Sequence, residues 1–151
     1  MEKNKIIIHT DGGSRGNPGP AAIGAVIQSS LGKNEYGEYI GETTNNEAEY
    51  RAVIFALKKL KTLIGSEKSK GSSVEFLLDS ELVVKQLNKE YKLKDKNIQN
   101  FFIEIWNLTF DFGKVSFRHI PREDNTEADR IVNQVLDRES SKLNKLNKLN
   151  L

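Results

Sequence analysis

The stretch KIIIHTDGG at residues 5–13 decides how this chain folds. Its apolar, β-branched run is too short for a helix, and it predicts a buried strand that ends at Asp11, before the Gly-Gly break. A second segment of the same form, VEFLLD at residues 74–79, ends in Asp79 and precedes a helical pattern. We therefore predict two buried strands, each of which ends in a carboxylate.

The other segments complete an α/β pattern. Residues 21–29 and 35–42 have strand character, and residues 45–63 form the best helix because they are rich in Ala, Leu, Lys and Glu. Gly65 and the polar residues after it are expected to end that helix. Two helices, a strand and a helix at about residues 124–136 follow. This order predicts a five-stranded mixed sheet flanked by helices, with the first three strands antiparallel and the strands ending in Asp11 and Asp79 as parallel neighbours.

Two of the predicted helices carry an acid on the face that should meet the core. Glu49 shares a helical stripe with Val53, Ala56 and Leu60, at offsets of four, seven and eleven. Asp129 aligns in the same way with Val132 and Leu136. We predict that both carboxylates point inward.

Asp11, Glu49, Asp79 and Asp129 are therefore candidates for one acidic cluster. Any one of them has a simpler explanation as a helix-edge residue, a cap or half of a buried ion pair. Four neighbouring acids, however, raise one another's pKa, and burial of unpaired charge is unfavourable, so such a cluster needs cations or shared protons. Oxygen ligands without cysteine favour Mg²⁺ or Mn²⁺ over zinc.

Composition restricts the remaining possibilities. The 151 residues, 37% of them hydrophobic, suit one domain with a real core. There is no cysteine, so disulfides and thiolate metal sites are excluded. No apolar run reaches the length of a signal peptide or a membrane span, and we expect a cytoplasmic protein without a membrane partner. The net charge of +2 permits a nucleic-acid partner. We expect a monomer, because no heptad repeat is present.

Four motifs occur in a recognisable order: DGGSRGNPGP at residues 11–20, TNNEAEY at 44–50, DS at 79–80 and HIPREDNTEAD at 119–129. Together they resemble type 1 ribonuclease H over about residues 5–137. The resemblance implies the ribonuclease H-like fold for residues 1–138. It also implies an endonuclease that cuts the RNA strand of RNA/DNA hybrids and leaves 5′-phosphate and 3′-hydroxyl ends. Two divalent ions, Mg²⁺ or Mn²⁺, would be held by Asp11, Glu49, Asp79 and Asp129.

The resemblance also implies which residues bind substrate. The RNA strand would be contacted by Gly12, Ser14, Gly16, Asn17, Asn45, Asn46 and Glu49, with Glu49 reading a 2′-hydroxyl, and Asn125 of the last motif is a further candidate. Thr44 and Asn46 would hold a phosphate of the DNA strand, although Thr44 also suits a simple helix cap. The glycine loop, residues 12–20, lacks a terminal Gly-Lys-Ser/Thr, so it is not a P-loop.

His119 and Tyr91 have two interpretations each. His119 lies ten residues before Asp129, as does the loop histidine of bacterial relatives, but the preceding VSFR favours a structural role at a strand end. Arg122 would serve the same loop. Tyr91, near Lys92 and Lys94, suits either a small channel for the DNA strand or an ordinary polar connection.

Two further segments give structural predictions. Phe101, Phe102, Ile105 and Trp106 are expected to form the core face of their helix. The C-terminal residues 139–151 repeat Lys-Leu-Asn, and we predict either a disordered tail or an amphipathic extension that docks on the domain.

Two other functions compete with the hybrid endonuclease. One is a catalytically inactive nucleic-acid-binding module of the same fold, which is disfavoured because none of the four acids is missing. The other is a related nuclease or recombinase that acts on DNA. The glycine loop and the Asn-Asn-Glu helix start favour RNA recognition over that alternative.

Overall fold

The structure, a computed structural model that describes residues 4–149, contains one five-stranded sheet in the order β3-β2-β1-β4-β5. β1, β2 and β3 are antiparallel neighbours, whereas β4 and β5 run parallel to β1. The predicted mixed sheet is confirmed. The strands are β1 (Lys5–Ser14), β2 (Gly19–Ser29), β3 (Gly32–Thr43), β4 (Ser73–Leu78) and β5 (Lys114–His119).

Helices cover both faces of this sheet. They are α1 (Asn45–Lys70), α2 (Glu81–Leu87), α3 (Lys96–Thr109) and α4 (Thr126–Leu149), with a 3₁₀ turn at Arg122–Asp124 before α4. The main core lies between the sheet and α1, α2 and α3, and its largest fully buried side chains include Tyr50 and Phe76. No helix within residues 4–149 is both long and apolar enough to cross a membrane.

α4 packs on the opposite face, against β2 and β3, where small residues let it approach closely. A Cβ added at Gly24 would lie 2.8 Å from the Ala128 carbonyl oxygen, and one added at Gly37 would lie 2.6 Å from Ile131. Both distances are too short for any side chain. The two glycines thus set how close the start of α4 lies to the sheet, and that start carries Asp129.

Several predicted boundaries need correction. β1 does not end at Asp11 but continues to Ser14, because its pairing with β2 persists as far as Ala21. Gly65 does interrupt α1, with a φ of 84°, yet the chain resumes helical geometry and reaches Lys70. The glycine tolerates this left-handed conformation at no steric cost.

The predicted core face of α3 is partly wrong. Ile105 is buried, and Phe101 and Phe102 are half-buried against the main core. Trp106, in contrast, is 49% exposed and meets the ring of Phe110 edge-on at 4.9 Å. Successive helical residues are rotated by about 100°, so a stripe centred on Ile98 and Ile105 leaves Trp106 outside the core.

The chain after residue 138 continues α4 as a helix up to Leu149. Leu143, Leu146 and Leu149 are largely exposed. The proposed domain boundary at residue 138 therefore falls within a continuous helix, and it stays a prediction. Asn150 and Leu151 of the predicted tail lie outside the described residues.

Candidate active site

The sheet and α1 bring three of the four predicted acids together. Asp11 lies on β1, and Asp79 follows the last residue of the parallel neighbour β4. Glu49 lies in the second turn of α1, the crossover helix, which turns it inward as predicted, with 8% of its surface exposed. Each residue offers a carboxylate oxygen within 4.8 Å of the others.

These carboxylates are electrostatically unfavourable neighbours. Burial, together with the nearby Asp79 and Asp129 carboxylates, raises the pKa of Asp11 to about 7. Burial and Asp11 likewise raise the pKa of Glu49 well above its usual value. The nearby backbone N–H of Gly12 lowers the pKa of both carboxyl groups, but it opposes these shifts only in part. In the cation-free state, therefore, the cluster holds protons that a metal would displace.

The donor set fits a hard divalent cation. One oxygen of Glu49, Oε2, is buried without a hydrogen-bond partner among residues 4–149. An unpartnered buried carboxylate oxygen is costly unless a cation occupies the space in front of it. Oxygen-only ligands of this kind match Mg²⁺ or Mn²⁺ chemistry.

Gly12 brings β1 into direct contact with the start of α1. A Cβ at this position would lie 2.3 Å from the carbonyl carbon and oxygen of Ala48 and 2.6 Å from the backbone nitrogen of Glu49. Any larger residue would push Glu49 away from Asp11. Gly12, which we predicted as a contact for RNA, is thus required first for the geometry of the carboxylates.

Asn125 positions Asp79. Its side chain is buried, and its amide nitrogen donates to the Thr10 carbonyl oxygen at 2.9 Å and to Asp79 Oδ2 at 3.0 Å. With 1% of its surface exposed, Asn125 does not have the position that we predicted for a substrate contact. It instead ties the segment before α4 to both β1 and the end of β4.

Asp129 lies at the rim of the acidic cavity. This cavity has a volume of about 360 Å³ and is lined by Asp11, Glu49, Asp79 and Asp129 together with Arg15 and Arg122. Asp129 is exposed, contrary to the inward position predicted from its helical stripe, since it lies in the first turn of α4, beside the opening. It is nevertheless close enough to raise the pKa of Asp11.

The glycine loop is held against the start of α1 by side-chain hydrogen bonds. Asn17 accepts from the Asn45 backbone N–H at 3.0 Å, and Asn45 Oδ1 accepts from the backbone N–H and the hydroxyl of Ser14 at 2.9 and 3.1 Å. Thr44 accepts from the Glu47 N–H at 3.2 Å, which confirms it as a helix cap. Gly16, with a φ of 94°, allows the chain to turn within the loop.

A second cavity lies on the other side of the α1 start. Its volume is about 810 Å³, and it includes Tyr91, Lys92 and Lys94 along one wall. Asn45 and Asn46 line both cavities and form the ridge between them. The ring of Tyr91 lies 5.2 Å from the Lys85 ammonium.

Comparison with known proteins agrees with this geometry. Residues 9–135 match the family model described as reverse transcriptase-like. The solved structure of LC11-RNase H1 in complex with an RNA/DNA hybrid is 44% identical, covers 89% of this chain and 98% of its own, and superposes with a TM-score of 0.83. The chain belongs to the type 1 ribonuclease H family. The resemblance seen in the motifs is thereby confirmed.

Two further relatives are similar to the chain over most of its length. The structure of RNase H1 from Halobacterium salinarum is 37% identical, covers 88% of this chain and 98% of its own, and has a TM-score of 0.80. A bifunctional protein of Mycobacterium tuberculosis is 38% identical over 136 residues, which are 88% of this chain. The chain spans only 36% of the length of that mycobacterial relative.

His119 and Arg122, the two candidates for the loop function of the family, occupy different positions. His119 is the exposed last residue of β5, as the strand-end interpretation predicted, and it is not among the residues that line the acidic cavity. Arg122 does line that cavity. Within residues 4–149 the Arg122 side chain forms no hydrogen bond or ion pair, so its positive charge is available to a ligand in the cavity.

Sequence reasoning missed the role of Arg15. Its guanidinium pairs with Asp137 at 2.6 Å and lies 3.4 and 3.5 Å from the side-chain and backbone oxygens of Asn133. Asn133 in turn donates to the Asp129 backbone carbonyl at 3.1 Å. The glycine loop is thus tied to the helix that carries Asp129. No pattern in the chain indicates a contact between residues 118 positions apart.

Proposed function

We propose that this chain is an endoribonuclease that hydrolyses the RNA strand of RNA/DNA hybrids. The observation that carries the proposal is the convergence of Asp11, Glu49 and Asp79 within 4.8 Å, at a cavity beside the glycine loop. The bound hybrid in the LC11-RNase H1 structure supports the substrate class. A catalytically inactive module has no need for such an unfavourable cluster of acids.

We further propose that Asp11, Glu49, Asp79 and Asp129 hold two Mg²⁺ or Mn²⁺ ions. When bound, such ions supply an activated water and stabilise the leaving oxygen of an in-line displacement. Asp11 is central to the set, because the charges of both Asp79 and Asp129 act on it. The products would be 5′-phosphate and 3′-hydroxyl ends, so the 2′-hydroxyl of RNA remains free for recognition.

The other residues of the site orient these ligands and the substrate. Asn125 fixes one oxygen of Asp79, and the Gly12 N–H favours the ionised forms of Asp11 and Glu49. Arg122 lines the cavity without an ion-pair partner among residues 4–149, and we assign it the task of contacting the phosphate at the cut. Outer hydrogen bonds of this kind tune metal ligands in other enzymes.

The two cavities suit the two strands of a hybrid. The RNA strand would lie over the acidic cavity, against Ser14, and the DNA strand would pass Tyr91 and the neighbouring lysines in the larger cavity. Asn17 lines the larger cavity, so it would contact the hybrid from that side. The ridge formed by Asn45 and Asn46 contacts the minor groove between the two strands. Lysine ammoniums and an aromatic ring suit a sugar-phosphate backbone without reading its sequence. Thr44 lines the same cavity and would hold a DNA phosphate beside its capping bond.

Cleavage of one end-labelled RNA/DNA hybrid tests the proposal. Matched single-stranded RNA, duplex RNA and duplex DNA serve as controls, each in Mg²⁺, Mn²⁺ and EDTA. We expect metal-dependent cutting that is confined to the RNA strand of the hybrid. Binding of the hybrid without cutting in either metal would support the inactive module, and cutting of duplex DNA would support the DNA nuclease.

Arg122 and His119 are distinguished by single substitutions. Because Arg122 lines the cavity and His119 does not, Arg122→Gln should lower kcat about 10- to 100-fold, and His119→Gln should change it by less than about threefold. Single-turnover cleavage of the hybrid at saturating enzyme gives both values. The reverse order of effects would assign the catalytic role to His119.

We also expect a monomeric, cytoplasmic protein. Light scattering that gave twice the chain mass of 17.1 kDa would contradict the monomer.

A further inference from the structure

The extension of α4, defined as residues 138–149, leads away from the acidic cavity along the side of the glycine loop. α4 begins where Glu127 pairs with Lys33, passes Asp129 at the cavity, and reaches Arg15 at Asp137. Beyond that point Leu143 and Leu146 share a groove with Pro20 and Tyr39. The extension therefore lies past the loop against which we place the RNA strand.

The extension carries a net positive charge, with Glu139 as its single acid among residues 138–149. Lysine recurs at every third position, at Lys142, Lys145 and Lys148, and no acid follows Glu139 in the chain. Lys142 pairs with Glu139 at 3.3 Å in an exposed contact, which contributes little in water. The side chains of Lys145 and Lys148 form no ion pair or hydrogen bond within the part of the chain that the structure describes.

The extension is continuous with the active site. Its groove, with a volume of about 440 Å³, is lined by Arg15 and Leu136, and both residues also line the acidic cavity. The pairing of Arg15 with Asp137 holds the last turn before the extension to the glycine loop. A strand that leaves the cavity along this side would therefore meet the lysines next.

Helix geometry gives the distance from Asp129 to each lysine of the extension. At 1.5 Å per residue, Lys142 lies about 20 Å and Lys148 about 28 Å along the helix from Asp129. For a duplex running alongside the helix, the rise of about 3.4 Å per base pair of B-DNA makes these distances about six to eight base pairs from the cut, and the shorter rise of an A-like hybrid makes them slightly more.

We propose that the extension of α4 is a second contact for the hybrid, in which Lys142, Lys145 and Lys148 bind backbone phosphates about six to eight base pairs from the cut. The inference rests on the proposed function for the identity of the ligand. Leu143 and Leu146 line the groove together with Pro20 and Tyr39, so the extension runs alongside the domain with its lysines in solvent. A phosphate backbone is the occupant that fits, because three cations in a row would repel a second copy of the same helix.

A neutralised variant tests the contact. Lys142→Gln, Lys145→Gln and Lys148→Gln are combined, since glutamine retains helix propensity. The matched control combines Lys68→Gln, Lys70→Gln and Lys114→Gln, which remove the same charge where α1 ends and β5 begins. Melting temperatures and circular dichroism establish that both variants fold.

Cleavage is measured on hybrids of 6 and 20 base pairs, and binding of the fluorescein-labelled 20-base-pair hybrid is measured in EDTA. For the extension variant we expect KM and Kd on the long hybrid to rise about fivefold with kcat unchanged. The slope of log Kd against log salt should fall by about 2, and the short hybrid should show no change. The control variant should match the unaltered chain on both lengths.

Three outcomes would overturn the inference. The first is an extension variant that equals the control on the long hybrid, and the second is an equal loss on both lengths. The third is a dimer that Leu143→Gln with Leu146→Gln converts to a monomer, because the occupant would then be a second copy. If the unaltered chain binds the hybrid but does not cut it, the proposed function fails, while the binding measurement still decides on the extension.

Discussion

The two cavities beside the start of α1 differ in charge and in burial. The acidic cavity collects four carboxylates, two of them nearly buried, around a volume of about 360 Å³. The larger cavity, of about 810 Å³, mixes lysines, acids and the half-exposed ring of Tyr91. They share only the ridge at Asn45 and Asn46 among the residues described.

This difference assigns the reaction to the acidic cavity and substrate binding to the larger cavity. Neighbouring carboxylates lower the stability of the fold unless a bound cation relieves their repulsion, and that relief adds to the affinity for the cation. The acidic cavity is therefore suited to metal-dependent reaction. Exposed lysines and one aromatic ring have little effect on the stability of the fold. They bind nucleic acid with an affinity that does not depend on the nucleotide sequence. Substitutions in the first cavity should therefore change kcat, and substitutions in the second should change KM.

Asp11→Asn should have the largest effect. It removes the proposed metal ligand that lies near both Asp79 and Asp129. We expect kcat with Mg²⁺ to fall at least about 1,000-fold. Hybrid cleavage checks this, and hybrid binding in EDTA should remain within about threefold of the unaltered chain. Retained cleavage would contradict the metal assignment.

Asn125→Ala should come next. It removes the amide that donates hydrogen bonds to Asp79 and to the Thr10 carbonyl oxygen. Metal affinity or kcat should therefore fall about 10- to 100-fold. A Mg²⁺ titration of activity separates the two effects. Asn88→Ala is the matched control, because it removes an asparagine bond to a backbone carbonyl, that of Phe117, away from the cavity. Equal losses in both variants would show that Asn125 acts only through stability.

Stability against pH tests the electrostatic strain of the acidic cavity. The pKa of Asp11 is raised to about 7 in the folded chain, so its neutral form contributes stability that is complete below about pH 4 and is lost as the pH rises through about 7. In EDTA at pH 8, Asp11→Asn, which stays neutral, should therefore be more stable than the unaltered chain by about 1 to 3 kcal/mol.

Urea unfolding at pH 4 and pH 8 measures this difference, which should shrink towards zero at pH 4. Mg²⁺ should stabilise the unaltered chain at pH 8 and have little effect on the variant. A variant that is less stable at pH 8 would show that the cluster is not strained.

Tyr91→Ala should have the smallest effect and should sharpen the contrast. Loss of the ring should raise KM for the hybrid about 5- to 10-fold with little change in kcat. Tyr91→Phe keeps the ring but removes the hydroxyl that accepts from Lys85 at 3.3 Å, and it should remain close to the unaltered chain. A fall in kcat for Tyr91→Ala would place this side chain nearer the reaction than the second cavity allows.

The sequence by itself determined the mixed sheet, the antiparallel pairing of its first three strands, the parallel pairing of β1 with β4, and the acids that lie on β1 and directly after β4. Short apolar runs that end in Asp11 and Asp79 require buried neighbouring strands, and the crossover between them fixes the side on which Glu49 lies. These features follow from local hydrophobic periods and from the geometry of parallel connections, both of which are written in adjacent residues.

Only the tertiary structure decided which neighbours hold the acids in place. Asn125 reaches Thr10 across 115 residues, Arg15 reaches Asn133 and Asp137, and Gly12 meets Ala48 through its missing side chain. The structure likewise decided which stripe of α3 meets the core, which leaves Trp106 exposed, and that Asp129 lies at the opening of the acidic cavity. Such contacts require the distances between elements to be correct to within a few tenths of an ångström. The packing of the whole core sets these distances, and no local sequence pattern encodes them.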